Sequence, residues 1–194
     1  MQQINLNYTS SAANLTGFAS NVTGATWILT TLTTDDSLAH KITIRNNSAT
    51  NHSGKTATIV GSYNGMAVTE VLALPTGNGT ATSVNYYDTL IPVTPSATIG
   101  VDTMDIGWAA ASISAWVWFR PQHGEIGFSL GFGCTVSGSP GYSVQYTFDG
   151  VTAFNHADVV TETTSQAGVI SSPVGAIRLI FTANGGVNLS GIKY

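Results

Sequence analysis

Hydrophobic and β-branched residues recur along the chain in short runs that alternate with polar residues. The clearest example is the pair of runs Lys55–Tyr63 and Met66–Leu74, which are separated by Asn64-Gly65. Asn-Gly between two such runs is a strong signal for a tight hairpin, because both residues tolerate a positive φ. The sequence therefore predicts a β-hairpin over residues 55–74.

Strand-like runs fill both halves of the chain, and no window longer than two turns has helical periodicity. Only Asp35–His40 is predicted to form a single short turn. The other predicted strands are Ile4–Tyr8, Thr26–Leu32, His40–Arg45, Ser83–Leu90, Ala97–Ile106, Ile126–Val136, Tyr142–Phe148, Ala176–Thr182 and Val187–Tyr194.

Short strands at this spacing, with turn residues between them, are typical of sandwiches and barrels. We predict an all-β fold of two small antiparallel β-sandwich or barrel-like domains in tandem, with almost no helix. The predicted domains are residues 1–111 and 112–194, and one continuous sandwich is the alternative.

The chain carries unusually few charges. Charged residues make up 8% of the 194 residues, whereas a soluble domain ordinarily has about 25%. Thr, Ser, Asn and Gly supply the polar positions instead, and these residues suit strands and turns. A surface with few charges is weakly repelled by its neighbours. We therefore expect a homo-oligomer, a dimer or a trimer.

The charge pattern also excludes some partners. The formal net charge is −4, and nucleic-acid binding requires a clustered basic surface. We expect no nucleic-acid partner, because the basic residues are scattered at Lys41, Arg45, Lys55, Arg120, Arg178 and Lys193.

The most apolar stretch, Ile106–Phe119, contains Gly107, Ser112 and Ser114 and is shorter than the ~20 residues that span a membrane. We expect no membrane partner. The segment Met1–Asn5 lacks the basic and apolar regions of a signal peptide, which predicts synthesis in a cytoplasm without this export signal.

One catalytic motif matches by its letters. Residues 127–131 read G-x-S-x-G around Ser129, and Asp149 and His156 follow in the order of a hydrolase triad. The nucleophile elbow requires a sharp turn from a strand into a helix. Here strand-like sequence flanks the motif on both sides. We interpret it as a glycine-rich strand and predict no enzymatic activity.

Metal ligands are sparse. The histidines His40, His52, His123 and His156 lack ligand spacing. Asp102 and Asp105 could form half of a calcium site, as could Asp35-Asp36, but calcium requires more oxygen ligands than two carboxylates supply. We predict no metal and no cofactor. The single cysteine, Cys134, lies in an apolar run and is predicted to be a small core residue.

Trp116, Trp118 and Arg120 form a candidate interaction surface, because a period of two places them on one strand face. If that face is buried, these residues belong to the core between the two domains, which is the interpretation we favour. If it is exposed, it would serve as an anchor for a protein partner or as a platform for a sugar ring.

Two stretches of the chain resemble known proteins. The first comprises GKTATIVG at 54–61, VTEVLALP at 68–75, YYDTL at 86–90 and IGVDTMDIG at 99–107; the second comprises VSG at 136–138, YSVQYTFD at 142–149, FNH at 154–156 and PVGAIRL at 173–179. Both resemble small β-domain structural proteins of tailed bacteriophages. The resemblance implies a virion component, assembled in the host cytoplasm, without known enzymatic residues. Its implied partners are the major capsid protein or other virion proteins.

Three functional hypotheses follow. The first is a capsid decoration (cement) protein that binds the outside of a phage head and stabilises it. The alternative is a head-fibre, tail or connector subunit that recognises a host glycan, which predicts an exposed Trp or Tyr in a shallow groove near Asp or Asn. The third is an esterase-like hydrolase, in which Ser129 requires His156 and an acid within hydrogen-bond reach.

Overall fold

The computed structural model describes residues 2–119, 129–171 and 173–193. Within these residues the regular structure is entirely β-strand, which confirms the all-β class, and no helix is long and apolar enough to cross a membrane. The strands are β1 Gln2–Ser10, β2 Asn14–Val22, β3 Ala39–Asn46, β4 Thr56–Tyr63, β5 Met66–Ala73, β6 Thr80–Tyr87, β7 Thr89–Pro95, β8 Met104–Ile113, β9 Val117–Trp118, β10 Leu130–Ser137, β11 Gly141–Thr147, β12 Phe154–Asn155, β13 Gln166–Ile170, β14 Ala176–Ala183 and β15 Gly185–Lys193.

The chain divides into two compact units. One is Ala13–Ser112, and the other combines Met1–Ala12 with Ile113–Tyr194. The predicted domains, 1–111 and 112–194, differ from this division at the N-terminus. The physical reason is that β1 pairs along its full length with β15, far away in the sequence. We call the first unit the central unit and the second the terminal unit.

The central unit is sandwich-like. In one sheet β8, β3 and β6 lie side by side, and β2 pairs irregularly with β8. The second sheet has the order β5-β4-β7. Ile42 and Ile44 of β3 share one buried hydrophobic core with Ala57 and Ile59 of β4. Apolar residues at every second strand position therefore face the same core from both sheets.

The predicted hairpin is confirmed. Strands β4 and β5 pair in continuous register, from Thr56 opposite Ala73 to Tyr63 opposite Met66. The two turn residues, Asn64 and Gly65, have φ values of 52° and 77°. The positive φ at both positions is the backbone conformation for which an Asn-Gly turn is selected.

The predicted strand Thr26–Leu32 is wrong, because strand β2 precedes this segment and the segment itself has no ladder. Its alternation is genuine, since Trp27 is buried and Ile28 is exposed. However, its described hydrogen bonds to β2 come from two adjacent residues, Thr30 and Thr31, which donate to the main-chain oxygens of Phe18 and Gly17. Side-chain alternation alone does not distinguish such a segment from a paired strand. The predicted strand Ala97–Ile106 likewise begins only at Met104.

The terminal unit is built from a four-stranded sheet of order β1-β15-β10-β13 and a second sheet in which β12, β11 and β14 are neighbours, with β9 beside β14. All pairings within these sheets are antiparallel. Cys134 of β10 and Tyr142 of β11 are both buried, and the two side chains are close enough to affect each other's pKa. The ring of Phe132 packs edge-on against His156, with their centroids 5.0 Å apart. This unit is therefore sandwich-like as well.

Candidate functional site

The two tryptophans of the predicted interaction surface have different environments. Trp116 is 9% exposed and Trp118 is 51% exposed. The predicted third member, Arg120, lies outside the described residues. The arginine that stacks on Trp116 is Arg178, whose guanidinium carbon lies 4.0 Å from the ring centroid. Trp116 is therefore a packed residue, and Trp118 offers the accessible indole.

Arg178 is held in place by a row of polar side chains across three strands. Its Nε and Nη2 both donate to Oε1 of Gln145, at 2.9 and 2.8 Å. Gln145 in turn donates from Nε2 to Oδ1 of Asn155, at 2.8 Å. The three residues occupy paired positions on β14, β11 and β12. Because these strands are separated in sequence, the alternation within one strand could not indicate that Arg178 lies against Trp116.

Trp118 rests against the turn that follows β11. A methyl group added at Gly150 would lie 2.6 Å from the indole, so the turn approaches the ring closely. The carboxylate of Asp149 holds this turn by accepting hydrogen bonds from the main-chain N–H groups of Thr152 and Val151, at 2.8 and 2.9 Å. These bonds, the one from Thr152 first, lower the pKa of Asp149 to about 2.

Three aromatic rings gather near the end of β11. Tyr146 stacks on Phe154, its partner across β11 and β12, with centroids 5.7 Å apart. Phe148 packs edge-on against both rings, at 5.8 and 5.6 Å. Phe148 is 51% exposed and Phe154 is 41% exposed. Alternation in the sequence places Tyr146 and Phe148 on one face of β11. Phe154 reaches Tyr146 only because the loop after β11 brings β12 back alongside it.

Two adjoining clefts lie beside this cluster. The larger, of about 780 Å³, crosses the outer face of β1-β15-β10-β13, and the smaller, of about 220 Å³, is lined by Tyr146 and His156. Both are lined by Asp158 and Val169. We call the two together the Asp158 groove; its other lining residues include Gln3, Gly131, Gly133, Ser171 and Ser190.

The central unit has a different kind of surface on its second sheet. The pairs Thr58–Val71 and Val60–Thr69 point outward across β4 and β5, opposite to the buried Ala57 and Ile59. Ile91 on β7 is 66% exposed and Val71 is 63% exposed. We call this surface the β5–β4–β7 face; its outward residues are Thr56, Thr58, Val60, Ser62, Ala67, Thr69, Val71, Ala73, Ile91 and Thr94. None of them is charged.

The residues of the hypothetical hydrolase triad have other partners. The Nδ1 atom of His156 accepts a hydrogen bond from the main-chain N–H of Asp158, at 3.3 Å. Its Nε2 lies 3.2 Å from the main-chain oxygen of Val169. The carboxylate of Asp149 accepts hydrogen bonds from the main-chain N–H groups of its own turn. A triad requires a carboxylate that orients the histidine and a histidine nitrogen directed at the serine, so these contacts do not support catalysis by Ser129.

The candidate calcium ligands Asp102 and Asp105 form hydrogen bonds within the protein. Oδ2 of Asp102 lies 3.0 Å from Nε2 of His52, and a hydrogen bond from Thr50 is the main cause that lowers the pKa of Asp102. The two oxygens of Asp105 accept hydrogen bonds from the main-chain N–H of Asn21 and from Nη2 of Arg45, at 2.9 and 2.8 Å.

Asp36 of the other predicted carboxylate pair is bound to the buried His40, whose Nε2 lies 2.8 Å from Oδ2 of Asp36. Nowhere in the described ranges do three His, Cys, Asp or Glu side chains gather as a metal site would require. Cys134 is buried, and burial raises the pKa of its thiol to about 12. Cys134 is therefore a small core residue, as the sequence predicted.

No family model matches the chain, and no curated protein is similar to it in sequence. Among solved structures, one titled "Structure of infectious bursal disease virus Gt strain" aligns with the whole of this chain and with 71% of its own, at 14% identity and a TM-score of 0.15. A TM-score this low supports no conclusion about fold or function.

Proposed function

We propose that this chain is a non-enzymatic structural protein of a virus particle: a capsid decoration protein that binds the outside of a phage head and stabilises it. The observation that carries the proposal is the uncharged β5–β4–β7 face, where Val71 and Ile91 are largely exposed. The cores of protein interfaces are depleted in charged side chains, and contiguous exposed apolar positions mark interaction sites. This face is uncharged and exposes Val71 on β5 and Ile91 on β7, two apolar residues on the strands either side of β4.

The size of the face favours repeated attachment. Three strands of about eight residues cover about 26 Å by 14 Å, or roughly 400 Å². A stable interface buries about 800 Å² on each partner. One face therefore provides about half of the contact needed, and a single subunit would bind weakly. An oligomer that engages several equivalent sites of a symmetric shell would bind firmly through effective concentration.

The resemblance to structural proteins of tailed phages supports the identity of the partner. The major capsid protein, or another virion protein at the head surface, presents the same site many times on one shell. The low charge of the chain is consistent with this role, because weak electrostatic repulsion lets copies pack closely.

The test combines oligomeric state with shell binding. The oligomer of the purified protein is determined by light scattering, and the protein is then mixed with capsids that lack it. We expect saturable binding at a fixed, symmetry-related copy number and a raised melting temperature of the capsid. A monodisperse oligomer that does not bind the shell would contradict the proposal.

A pair of variants locates the contact. Val71→Lys places a charge at a largely exposed outward position of β5, an edge strand of the face, and should abolish shell binding. Val101→Lys introduces the same change at a residue that is 95% exposed and is not among the outward residues of the face, and should bind like the unmodified protein. Equal binding by both variants would exclude this face as the site of attachment.

A further inference from the structure

We infer that the Asp158 groove in the terminal unit is a binding site for a neutral oligosaccharide. Binding there does not depend on attachment to a capsid, since the groove and the β5–β4–β7 face belong to different units.

The groove exists because side chains are missing from its floor. Gly131 and Gly133 occupy the outward positions of β10, between Val169 and Ala167 of β13 and Ile192 and Ser190 of β15. A methyl group added at Gly133 would meet nothing closer than Oγ of Ser190, at 4.0 Å. The larger cleft, of about 780 Å³, is within the range of roughly 300–1,000 Å³ in which small-molecule sites fall. The opening is thus an extended trough with a main-chain floor.

One end of the trough is aromatic. Tyr146 lines the smaller cleft, and Phe154 and Phe148 support its ring. Phe148 and Phe154 keep about half of their surface accessible. An aromatic face attracts polarised C–H groups as well as apolar surface, and one side of a pyranose ring presents such C–H groups. The cluster therefore suits a sugar ring at this end.

Hydrogen-bonding groups continue along the trough. The carboxylate of Asp158 is exposed, and its described hydrogen bond is made by its main chain to His156 rather than by its side chain. A carboxylate accepts hydrogen bonds from two neighbouring hydroxyl groups at once. Gln3 and Ser190 add an amide and a hydroxyl group to the lining of the larger cleft, and Ser171 adds a hydroxyl group to that of the smaller. These partners match a ligand that carries many hydroxyl groups.

The charge of the groove selects among such ligands. Asp158 is the only carboxylate, and no lysine or arginine stands among the described lining residues. An anionic sugar, such as a sialylated or sulfated glycan, would be repelled by Asp158, and no described lysine or arginine of the lining would offset that repulsion. The ligand class is therefore a neutral hexose or N-acetylhexosamine oligomer.

The experiment uses the full chain and an array of neutral oligosaccharides, together with sialylated and sulfated versions of the same glycans, followed by calorimetric titration. We expect binding of neutral glycans only. Asp158→Asn should weaken binding by about tenfold or more, because it removes a charged acceptor. Phe154→Ala removes the ring that stacks on Tyr146 and should weaken binding by about three- to tenfold, because Tyr146 then loses its support.

Two control variants match these changes in chemistry. Asp35→Asn, in the central unit, and Val151→Ala, at a residue that is 87% exposed, should bind the glycan like the unmodified protein. Retained thermal melting of Asp158→Asn and Phe154→Ala would show that both are folded.

No binding of any neutral glycan at millimolar concentration, a preference for the anionic versions, or equal affinity of Asp158→Asn and the unmodified protein would each overturn the inference. Shell binding by Asp158→Asn should be unchanged, which separates failure of the groove from failure of the proposed attachment to a capsid.

Discussion

One carboxylate oxygen of Glu70 accepts a hydrogen bond from the main-chain N–H of Val84, at 2.8 Å, and the other accepts one from the N–H of Asn85, at 2.9 Å. Glu70 lies on β5, and its partners lie where the β3–β6 ladder is interrupted, because residues 83–85 of β6 stand opposite Ile42 alone. The carboxylate therefore satisfies two N–H groups that the broken ladder leaves without strand partners.

Replacing Glu70 should weaken the central unit. Glu70→Ala removes the acceptor of two main-chain N–H groups, and we expect a loss of about 1 kcal/mol in the free energy of unfolding, since both groups can still reach water. Glu70→Gln keeps one acceptor oxygen and should lose less. Urea denaturation measures both variants, and equal stability of Glu70→Ala and the unmodified protein would show that water replaces the carboxylate at no cost.

Gly17 should not tolerate a side chain. It lies on β2 directly beneath Trp108, and a methyl group there would overlap the indole ring. Trp108 is only 4% exposed and packs edge-on against Phe18, with centroids 5.2 Å apart, so the ring has little room to move. Gly17→Ala should lower the free energy of unfolding by about 2 kcal/mol, as overpacked cores do.

The matched control is Gly133→Ala, which adds the same methyl group to a strand where the space is open. Thermal melting of the two variants gives the comparison. If Gly17→Ala melted no lower than Gly133→Ala, the close packing of Trp108 on β2 would be contradicted.

Asp149 should make the protein more sensitive to acid. Its pKa is lowered from 3.8 to about 2 in the folded protein, first by the hydrogen bond from Thr152 and then by the one from Val151. A depressed folded pKa contributes stability that is complete above the unfolded pKa and is lost as the pH falls toward the folded pKa. The contribution of Asp149 is therefore present above about pH 4 and disappears between pH 4 and 2.

The measurement compares the unmodified protein with Asp149→Asn by chemical denaturation between pH 6 and pH 2. The unmodified protein should be the more stable above pH 4, and the difference should shrink toward pH 2. A difference in the free energy of unfolding that stays constant over this range would contradict the lowered pKa of Asp149.

Cys134 should be unreactive in the folded protein. The side chain is 2% exposed, and burial raises its pKa to about 12, so little thiolate forms at pH 8. Because alkylation proceeds through the thiolate, iodoacetamide should label Cys134 slowly in native buffer and rapidly in guanidinium. Mass spectrometry follows the labelling, and rapid labelling of the native protein would contradict the buried position.

The local features of the fold were predictable where neighbouring residues decide them. The Asn64-Gly65 hairpin and the strand Tyr142–Phe148 follow from turn chemistry and alternation within a few residues. Strand β2 was missed, and Thr26–Leu32 was predicted in its place. Both segments have strand-like residues, and only pairing with β8 distinguishes them.

The candidate sites depended more strongly on the tertiary structure. Period two placed Trp116 and Trp118 on one face, but Arg178 reaches Trp116 from a strand about sixty residues further along the chain. The Asp158 groove likewise combines residues from both ends of the chain, such as Gln3 and Ser190. The sequence predicted that Gly131 and Gly133 lie in a strand, but it did not predict that they line a groove.

The sequence by itself determined the all-β class, the tight Asn64-Gly65 hairpin and the low surface charge, because residue type and local spacing decide these properties. The tertiary structure alone decided that β1 belongs with β15, that Arg178 stacks on Trp116, and that the glycines of β10 open a groove beside Asp158. These relationships arise from pairing between distant strands. Side-chain alternation says which face of a strand is buried, but it carries no information about which strand lies next to it.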